Sequence, residues 1–339
     1  MSADVRTVLA ELENRRQSRK EDAANVALMT LVAFFEDERI GAWLRERLHS
    51  LAVKDPARVI VLDATKPATF WCIGLECGEH SECLKTRGEW IELGVRAGDP
   101  ETLQSVVAAL ALPQAPIVLV WGSTRIAQDA RFARLAPSVG MVVYNSSALD
   151  DGDGGLRQLA AFVHANPEVA MCDLAYLRLA PWQECIALFF DGKNVIRELF
   201  DLRRVEIAGG SAAEAYYLLG WLASRLEWTA CAADRFCNRF GTEIEFEVAL
   251  DGPPRRIRRV ALHSTQTRFV AELGREEAAV IALTVTGAAA HPDRYHPITN
   301  VDTSSLIERA ILGARQDRIF FDSLLAAGDV LSHAQTVRP

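Results

Sequence analysis

The run APIVLVW, residues 115–121, contains six apolar residues and one proline and ends on a tryptophan. It is short and rich in β-branched residues, so it predicts a buried strand rather than a helix. Two similar runs lie on either side of it along the chain, RVIVLDA at 58–64 and MVVYNS at 141–146. Strands that are apolar throughout are buried on both faces, which is typical of a parallel sheet covered by helices.

The segments between these strands support the same architecture. GEWIELGVRA, residues 88–97, predicts a further strand. Asp99 and Pro100 are an N-cap and a first-turn proline, and they predict a helix through residues 101–112. Strands that alternate with helices indicate an α/β N-terminal half with a mainly parallel sheet.

The first 50 residues are predicted to be helical. Their apolar residues recur at helical spacing in two groups: Val5, Leu9 and Leu12, and then Val26, Leu28, Met29, Val32 and Ala33. A third helical pattern ends before Pro56, which disfavours helix at the residue before it. We therefore predict N-terminal helices over 1–50 and an α/β domain over 51–170.

The second half of the chain has a different pattern. RRVEIA at 203–208 predicts a strand, and a long helix follows it. Four strand-like runs then come in succession, at 243–250, 256–264, 268–274 and 279–287. A single terminal helix is expected over 304–331. This order predicts an α+β C-terminal half, residues 171–339, with an antiparallel sheet and long helices.

Composition excludes several classes of protein. The 339 residues carry a formal net charge of -8 with a pI near 5.5, which argues against a nucleic-acid-binding protein. The one basic cluster, PPRRIRR at 253–259, is expected at a solvated strand start. No apolar run reaches the ~18 residues of a membrane helix, and the N-terminal sequence does not resemble a signal peptide. We expect a cytoplasmic protein without membrane contact and with reduced thiols.

One segment gathers metal-ligand and redox residue types. CIGLECGEHSEC holds Cys72, Cys77, His80 and Cys83 within twelve residues. Four soft ligands could hold zinc, although the spacing is not a standard zinc pattern. A thiol beside an imidazole could also be redox-active. Unspecialised cysteines, acting as small apolar residues, are the favoured interpretation, so Cys72, Cys77 and Cys83 remain candidate redox thiols and no metal is predicted.

A second candidate site is the start of the long helix. Gly209, Gly210 and Ser211 join the strand to the helix, and helix N-terminal amides can hold an anion. Ser211 and Glu214 also form the pattern of a capping box, which satisfies the same amides internally. We favour the capping box here and expect a similar one at Ser305 and Glu308.

No catalytic motif is present. The chain lacks the nucleophile, zinc-protease and phosphate-loop patterns, and the glycines at 152–155 lie in an acidic turn that would repel phosphate. His291 and His296 lie near Asp293 in a proline-rich segment, which is expected to be a solvated loop rather than a metal or acid–base pair. We predict no cofactor and no enzymatic activity.

The stretch DLAYLRLAPWQECIALFFD, residues 173–191, carries the most unusual pattern. Pro181 suits a first helical turn. The residues that follow it at helical spacing predict a buried face: Trp182, Cys185, Ile186 and Phe189. Arg178 stands among apolar residues and needs a carboxylate partner, for which the candidates are Asp173, Glu184 and Asp191.

Two motifs together carry a resemblance to a known family. D-L-A-Y-L-R-L-A-P-W-Q at 173–183 is followed by G-W-L-A-S-R-L at 220–226. The strand at 58–64, preceded by Pro56, and the strand that ends at Trp121 fit the same pattern. The chain resembles the OpcA family of glucose-6-phosphate dehydrogenase assembly proteins over most of its length.

This resemblance implies a function. It implies a non-enzymatic protein that binds glucose-6-phosphate dehydrogenase and favours its active oligomer, in the oxidative pentose phosphate pathway. Thiol redox control is known in some photosynthetic relatives, which makes thioredoxin a further candidate partner. The motif residues, which either hold the two halves together or contact the partner, are Asp173, Tyr176, Arg178, Pro181, Trp182, Trp221 and Arg225. The alternative is a sugar-phosphate- or nucleotide-binding α/β protein or enzyme with an anion site at Gly209–Ser211.

Overall fold

The computed structural model of the chain describes residues 5–18, 27–79, 85–96, 98–192, 195–254, 256–274, 280–298, 303–313 and 317–336. Two compact units are present. The first unit comprises residues 1–145, 166–172 and 307–316, and the second comprises 146–165, 173–306 and 317–339. Each unit therefore contains several separate segments of the chain, and the domain boundaries near residues 50 and 170 stay a prediction.

The first unit is built on a seven-stranded sheet, the first sheet, in which most neighbours are parallel. Its strands are β1 Met29–Phe35, β2 Ala57–Asp63, β3 Trp71–Glu79, β4 Lys85–Gly94, β5 Ile117–Gly122, β6 Met141–Tyr144 and β7 Met171–Asp173. The order across the sheet is β3-β4-β2-β1-β5-β6-β7. Strands β4, β2, β1, β5 and β6 are parallel to one another, and β3 is antiparallel to β4. This confirms the mainly parallel α/β half.

Helices accompany both sheets. They are α1 Val5–Ser18, α2 Glu38–Lys54, α3 Pro100–Leu110, α4 Ala130–Leu135, α5 Gly152–Ala165, α6 Leu174–Leu177, α7 Ala180–Phe189, α8 Ile196–Phe200, α9 Ala212–Leu226, α10 Thr303–Leu312 and α11 Arg318–Thr336. Asp99 caps α3, as its sequence predicts. Among the described residues, no helix combines the length and apolar composition needed to cross a bilayer.

The second unit is built on an eight-stranded sheet, the second sheet, which is mostly antiparallel. Its strands are β8 Leu202–Gly210, β9 Thr229–Ala232, β10 Arg235–Cys237, β11 Glu243–Pro254, β12 Ile257–Ser264, β13 Thr267–Leu273, β14 Val280–Gly287 and β15 His291–Pro297. The order is β15-β14-β13-β12-β8-β11-β10-β9. Helix α9 packs on β8 and β11, and α11 packs on α9 and α5. The predicted α+β half is confirmed, although β11 pairs with β8 in parallel.

The prediction of helix throughout residues 1–50 is wrong at one place. Met29–Phe35 is β1, a central strand of the first sheet whose residues beyond Met29 are all buried. A strand buried on both faces shows no alternation of apolar and polar residues, so its sequence cannot be told from a buried helix by period alone. The segment MTLVAFF is such a case.

Three further segments differ from their predicted form. The C-terminal helix is two helices, because Gly313 ends α10 and Asp317 accepts hydrogen bonds from the first amides of α11. Since α10 begins at Thr303, Ser305 lies inside the helix and does not cap it. The proline-rich segment His291–Pro297 is the edge strand β15, a position where proline is tolerated. Helix α5 begins at Gly152, within the predicted acidic turn.

Candidate functional site

Asp173, the first residue of the motif stretch, organises a buried polar cluster in the second unit. It is the N-cap of α6, and its Oδ1 accepts hydrogen bonds from the amides of Ala175 at 2.8 Å and Ser146 at 3.0 Å. Its Oδ2 accepts from the Tyr217 hydroxyl at 2.7 Å. Asp173 is 1% exposed. The side chain therefore ties α6, α9 and the segment before α5 together.

Arg178 forms the second part of this cluster, through Glu214 on α9. Its Nε donates to Glu214 Oε1 at 2.7 Å, and its Nη2 donates to Ser147 Oγ at 2.8 Å. Ser147 Oγ lies 3.1 Å from Ser211 Oγ, which accepts from the Glu214 amide at 3.3 Å. Glu214 is 2% exposed, so the ion pair is sheltered from water.

This ion pair corrects the sequence-based choice of partner for Arg178. The candidates were Asp173, Glu184 and Asp191, all close to Arg178 in sequence. Glu214 was assigned instead to a reciprocal capping box. One of the two bonds of that box is confirmed, because the Ser211 side chain caps α9 by accepting from the Glu214 amide. The Glu214 carboxylate instead accepts hydrogen bonds from Arg178 and Ser147.

The electrostatics of the cluster follow from burial. Burial raises the pKa of Asp173, against the hydrogen bonds that it accepts from Ser146 and Tyr217. Burial likewise raises the pKa of Glu214, against the opposing charge of Arg178. Both carboxylates depend on internal donors, and these donors belong to the same chain. The cluster is therefore suited to fixing the position of α9 rather than to capturing a ligand.

Tyr176, Pro181 and Trp182 are part of the packing around this cluster. Tyr176 and Trp182 are 7% and 6% exposed. The Tyr176 ring contacts the rings of Tyr217 and Phe320 edge-on, with centroids 5.7 and 5.1 Å away. Pro181 lies in the first turn of α7. The predicted buried face of α7 is confirmed at all four positions, Trp182, Cys185, Ile186 and Phe189.

Trp221 and Arg225 are more accessible than the other motif residues. Trp221 is half-buried and Arg225 is exposed, one helical turn further along α9. Arg225 Nη2 pairs with Asp322 Oδ2 on α11 at 3.0 Å. Ile319, one turn before Asp322, is 42% exposed. Trp221, Arg225, Ile319 and Asp322 form a surface on α9 and α11, which we call the α9–α11 surface. It contains Trp221 and Arg225, the motif residues that are most accessible to another protein.

Gly220, which precedes Trp221 in the motif, has a packing role that the sequence did not reveal. A Cβ atom placed on Gly220 would lie 2.0 Å from the carbonyl oxygen of Ser323 on α11. Only glycine allows this close approach of two helices. A glycine inside an otherwise apolar helix was the available signal.

The proposed anion site at Gly209, Gly210 and Ser211 has few free donors. Gly210 donates its amide to the Arg256 carbonyl at 2.9 Å, and both glycines belong to β8. A Cβ atom on Gly209 would lie 2.5 Å from the same carbonyl oxygen, which explains the glycine there. The Ser211 hydroxyl already accepts a hydrogen bond from the Glu214 amide at 3.3 Å. This geometry favours the capping interpretation.

The predicted redox segment is described only in part. Cys72 is exposed on β3, and Cys77 belongs to the same strand. His80 and Cys83 lie outside the described residues, so their proximity to Cys72 stays a prediction. Within the part of the chain that the structure describes, no three His, Cys, Asp or Glu side chains are grouped as metal ligands.

A disulfide joins Cys231 and Cys237, with Cα atoms 5.8 Å apart. It links β9 to β10 at the edge of the second sheet, and Cys231 is exposed. The expectation of reduced thiols is wrong for this pair. The available signal was two cysteines six residues apart around the turn-forming segment AAD. By contrast, burial raises the pKa of Cys185 to about 12, which makes its thiol unreactive.

The carboxyl edge of the first sheet is the place where dinucleotide-binding folds hold their ligand. Strand order reverses at β1, which has β2 on one side and β5 on the other. Glu36 and Asp37 follow β1 directly, where such folds carry a glycine-rich loop. Asp37 Oδ1 accepts from the amides of Arg39 and Ile40 at 2.8 and 3.0 Å. These α2 amides are therefore not available to a phosphate.

Glu36 lies at the same edge of the first sheet. It accepts from Ser123 Oγ at 2.8 Å and pairs with Arg131 and Arg125. Burial alone would raise the pKa of Glu36, but the hydrogen bonds and charges of these residues outweigh it and hold the pKa below its ordinary value. The edge thus carries a charged carboxylate that is paired with two arginines of the same chain.

Solved structures of two oxidoreductases align with most of the chain. KijD10, a 3-ketoreductase from Actinomadura kijaniata in complex with TDP-benzene and NADP, aligns with 91% of this chain and 97% of its own, at 9% identity and a TM-score of 0.50. Levoglucosan dehydrogenase, in complex with NADH and L-sorbose, aligns with 92% of this chain and 98% of its own, at 10% identity and a TM-score of 0.46. At such identities the likeness concerns the fold alone.

Sequence relatives are more specific. The OxPP cycle protein OpcA of Synechocystis sp. is 35% identical over 189 residues, which are 53% of this chain and 39% of the relative. The protein of the same name from Nostoc punctiforme is 34% identical over 188 residues, 52% of this chain and 39% of the relative. The aligned part thus spans about two fifths of each relative's length.

Family models match both halves of the chain. Residues 49–161 match a model described as the glucose-6-phosphate dehydrogenase subunit N-terminal domain, and residues 169–324 match the corresponding C-terminal domain. Together these matches cover most of the 339 residues, including both motifs that carry the resemblance. The chain belongs to the OpcA family.

Proposed function

We propose that the protein is a non-catalytic partner of glucose-6-phosphate dehydrogenase that favours the active, assembled form of that enzyme. The observation that carries this proposal is the match of both halves to the two domains of a glucose-6-phosphate dehydrogenase subunit. Glu36 and Asp37 at the dinucleotide edge support the absence of a cofactor. The buried cluster around Asp173 and Arg178 supports a rigid binding scaffold, because its polar groups bond to one another.

Activation by binding has a physical requirement. The protein must bind the active form of the dehydrogenase more tightly than the inactive form, because equal affinity for both would shift nothing. The test is titration of the full chain into the dehydrogenase of its own organism, with binding and reaction rate both measured. We expect a stable complex and a lower apparent KM or a higher kcat. No complex, or a complex without any kinetic change, contradicts the proposal.

The α9–α11 surface is the proposed docking surface, because it is the accessible part of the family motif. Replacing Trp221 and Arg225 with alanine should weaken binding at least tenfold, since Trp and Arg are the side chains that most often dominate interfaces. Arg203→Ala is the matched control: its side chain is 40% exposed, as is that of Arg225, and it also pairs with one aspartate. Equal binding by all variants would place the docking surface elsewhere.

The competing function is an anion site at Gly209–Ser211. Thermal-shift measurements with phosphorylated sugars and nucleotides separate the two functions. Stabilisation by one such ligand that disappears in Ser211→Ala would support the competing function against ours. We expect no stabilisation, because the Glu214 amide is already bonded to Ser211 and the Gly210 amide to the Arg256 carbonyl.

We propose further that thiol control, with thioredoxin as the reductant, acts through Cys231 and Cys237. The disulfide is at a sheet edge and Cys231 is exposed, so a reductant can reach it. Reduction should change the degree of dehydrogenase activation. Cys231→Ser with Cys237→Ser should remove that response, and Cys72→Ser is the control that should keep it. A response that survives in the double variant, or is lost with Cys72, contradicts this assignment.

A further inference from the structure

The second sheet has two faces of different chemistry. One face carries Val205, Ile207 and Phe269, which are buried, and helices α7 and α9 pack on it. On the other face the strand register brings Arg204 beside Glu245 and His263. We call this second face the open face. Alternation of buried apolar and exposed charged residues along each strand separates the two faces.

Charges of opposite sign predominate on the two sides of the open face. Three glutamates of β11 form an acidic strip, and their side chains are 53–61% exposed: Glu243, Glu245 and Glu247. On the other side of β8, Arg259 of β12 and Arg268 of β13 form a basic strip. Each strip has one charge of the other sign beside it, Arg235 of β10 at the acidic strip and Glu272 of β13 at the basic strip. Strand β8 lies between the strips and contributes Arg204 and Glu206.

Ion pairs within the chain lie at the middle of the open face and also at its β10 side, where Arg235 pairs with Glu243 at 2.8 Å. Arg204 pairs with Glu247 at 2.6 Å, and Glu206 lies 3.4 Å from His263 and 3.5 Å from Arg259. Arg268 is 3.9 Å from Glu206 and 46% exposed. The outer charges of both strips thus keep exposed surface. Between the charges lie two small, partly exposed residues, Ala208 and Ala249, which pair with each other across β8 and β11.

We propose that the open face binds the open face of a second copy of this chain. A two-fold axis that runs parallel to β8 places the acidic strip of one copy over the basic strip of the other. The alternative axis, perpendicular to the strands, would place like charges together and is disfavoured. Arg204 and Glu206 lie near the axis, and each is neutralised by residues of its own chain. Self-complementarity of this kind is what a two-fold interface requires.

The area of the face suffices for a stable dimer. Eight strands at a spacing of ~4.8 Å and about seven residues at ~3.3 Å each give a face of roughly 34 by 23 Å. This is on the order of 800 Å² for each copy, the size of a standard interface. Packing of two sheets face to face is a common arrangement in proteins.

The test measures the molar mass of the full chain in solution, by light scattering and sedimentation at several concentrations. The single chain has a mass of 37.3 kDa, and we expect twice that value at low salt. Raising NaCl from about 0.05 M to about 1 M should weaken the dimer, because salt screens exposed charges. Glu245→Lys with Glu247→Lys should weaken it at least tenfold, and so should Arg259→Glu with Arg268→Glu.

The decisive measurement mixes these two double variants. Their charge patterns are complementary, so an equimolar mixture should recover the dimer although each variant alone is monomeric. Glu168→Lys, which reverses an exposed carboxylate of the first unit, is the control and should dimerise normally. A monomeric wild type, or a mixture that stays monomeric, overturns the proposal. A monomeric wild type whose binding to the dehydrogenase depends on these residues would assign the open face to that partner instead.

Discussion

The two sheets use charged residues in opposite ways. In the first unit, Arg58 and Glu89 pair at 2.7 Å with side chains 6% and 3% exposed, on the neighbouring strands β2 and β4. In the second unit, Arg204 and Glu247 pair at 2.6 Å with side chains 40% and 61% exposed. The distances are similar, but the surroundings are not.

This difference determines what each set of charges can do. A buried ion pair cannot exchange its partner without leaving a charge in a medium of low dielectric constant. An exposed pair gives up little when it changes partner, because water already solvates both groups. The Arg58–Glu89 pair of the first sheet therefore maintains the fold. The exposed charges of the second sheet are free to meet another surface.

The largest expected effect is on the free energy of unfolding, when one arginine is removed from each of the two ion pairs. Arg58→Met leaves the buried Glu89 without the guanidinium and should lower the free energy of unfolding by about 3–5 kcal/mol. Arg204→Met should lower it by less than about 1 kcal/mol. Urea unfolding followed by circular dichroism measures both. Similar losses in the two variants would mean that burial does not distinguish the two sheets.

The acid dependence of stability gives a smaller effect. Glu36 and Glu206 are equally exposed, at 25% and 24%. Burial opposes the shift at each site, but neighbouring cations hold both pKa values below the ordinary 4.5. A lowered pKa in the folded state stabilises the fold above pH 4.5, and this contribution is lost as the pH falls through the folded pKa.

The matched variants Glu36→Gln and Glu206→Gln should each lower stability by about 1 kcal/mol at neutral pH, and the difference from wild type should vanish on acidification. Salt should distinguish them. Glu36 accepts hydrogen bonds from Ser123 and Arg131, whereas Glu206 accepts one from Arg204 at 3.1 Å, and its other arginine neighbours, Arg259 and Arg268, lie at 3.5 and 3.9 Å. Salt of about 0.5 M should reduce the Glu206 effect more. An equal reduction would show that both sites are screened alike.

Local patterns predicted the elements better than they predicted the partners of side chains. The periodicity of residues 182–189 identified the buried face of α7, and Asp99 identified the start of α3, because both signals lie within one helix. The partner of Arg178 was missed because Glu214 is 36 residues away on another helix. No pattern along the chain records such a contact.

Strand β1 is buried on both faces, and its sequence therefore lacks the alternation that identifies a strand. Residues 29–35 of β1 carry no alternation, so their strand could not be distinguished from a helix in the sequence. The Cys231–Cys237 disulfide was not predicted, because a chain without a recognisable signal peptide is expected to have reduced thiols. The open face was missed because its charges are distributed over strands that are distant in sequence.

The last prediction is that dinucleotides do not change the melting temperature, because they do not bind at the dinucleotide edge of the first sheet. NADP and NAD should leave the melting temperature of the wild-type protein unchanged, because Asp37 occupies the α2 amides and Glu36 would repel a pyrophosphate. Neutralising both, by Glu36→Gln with Asp37→Asn, is the informative comparison. Weak stabilisation by NADP only in this variant would show that the two carboxylates are what excludes the ligand. Stabilisation of the wild type would show that the edge of the first sheet accepts a dinucleotide in spite of the two carboxylates.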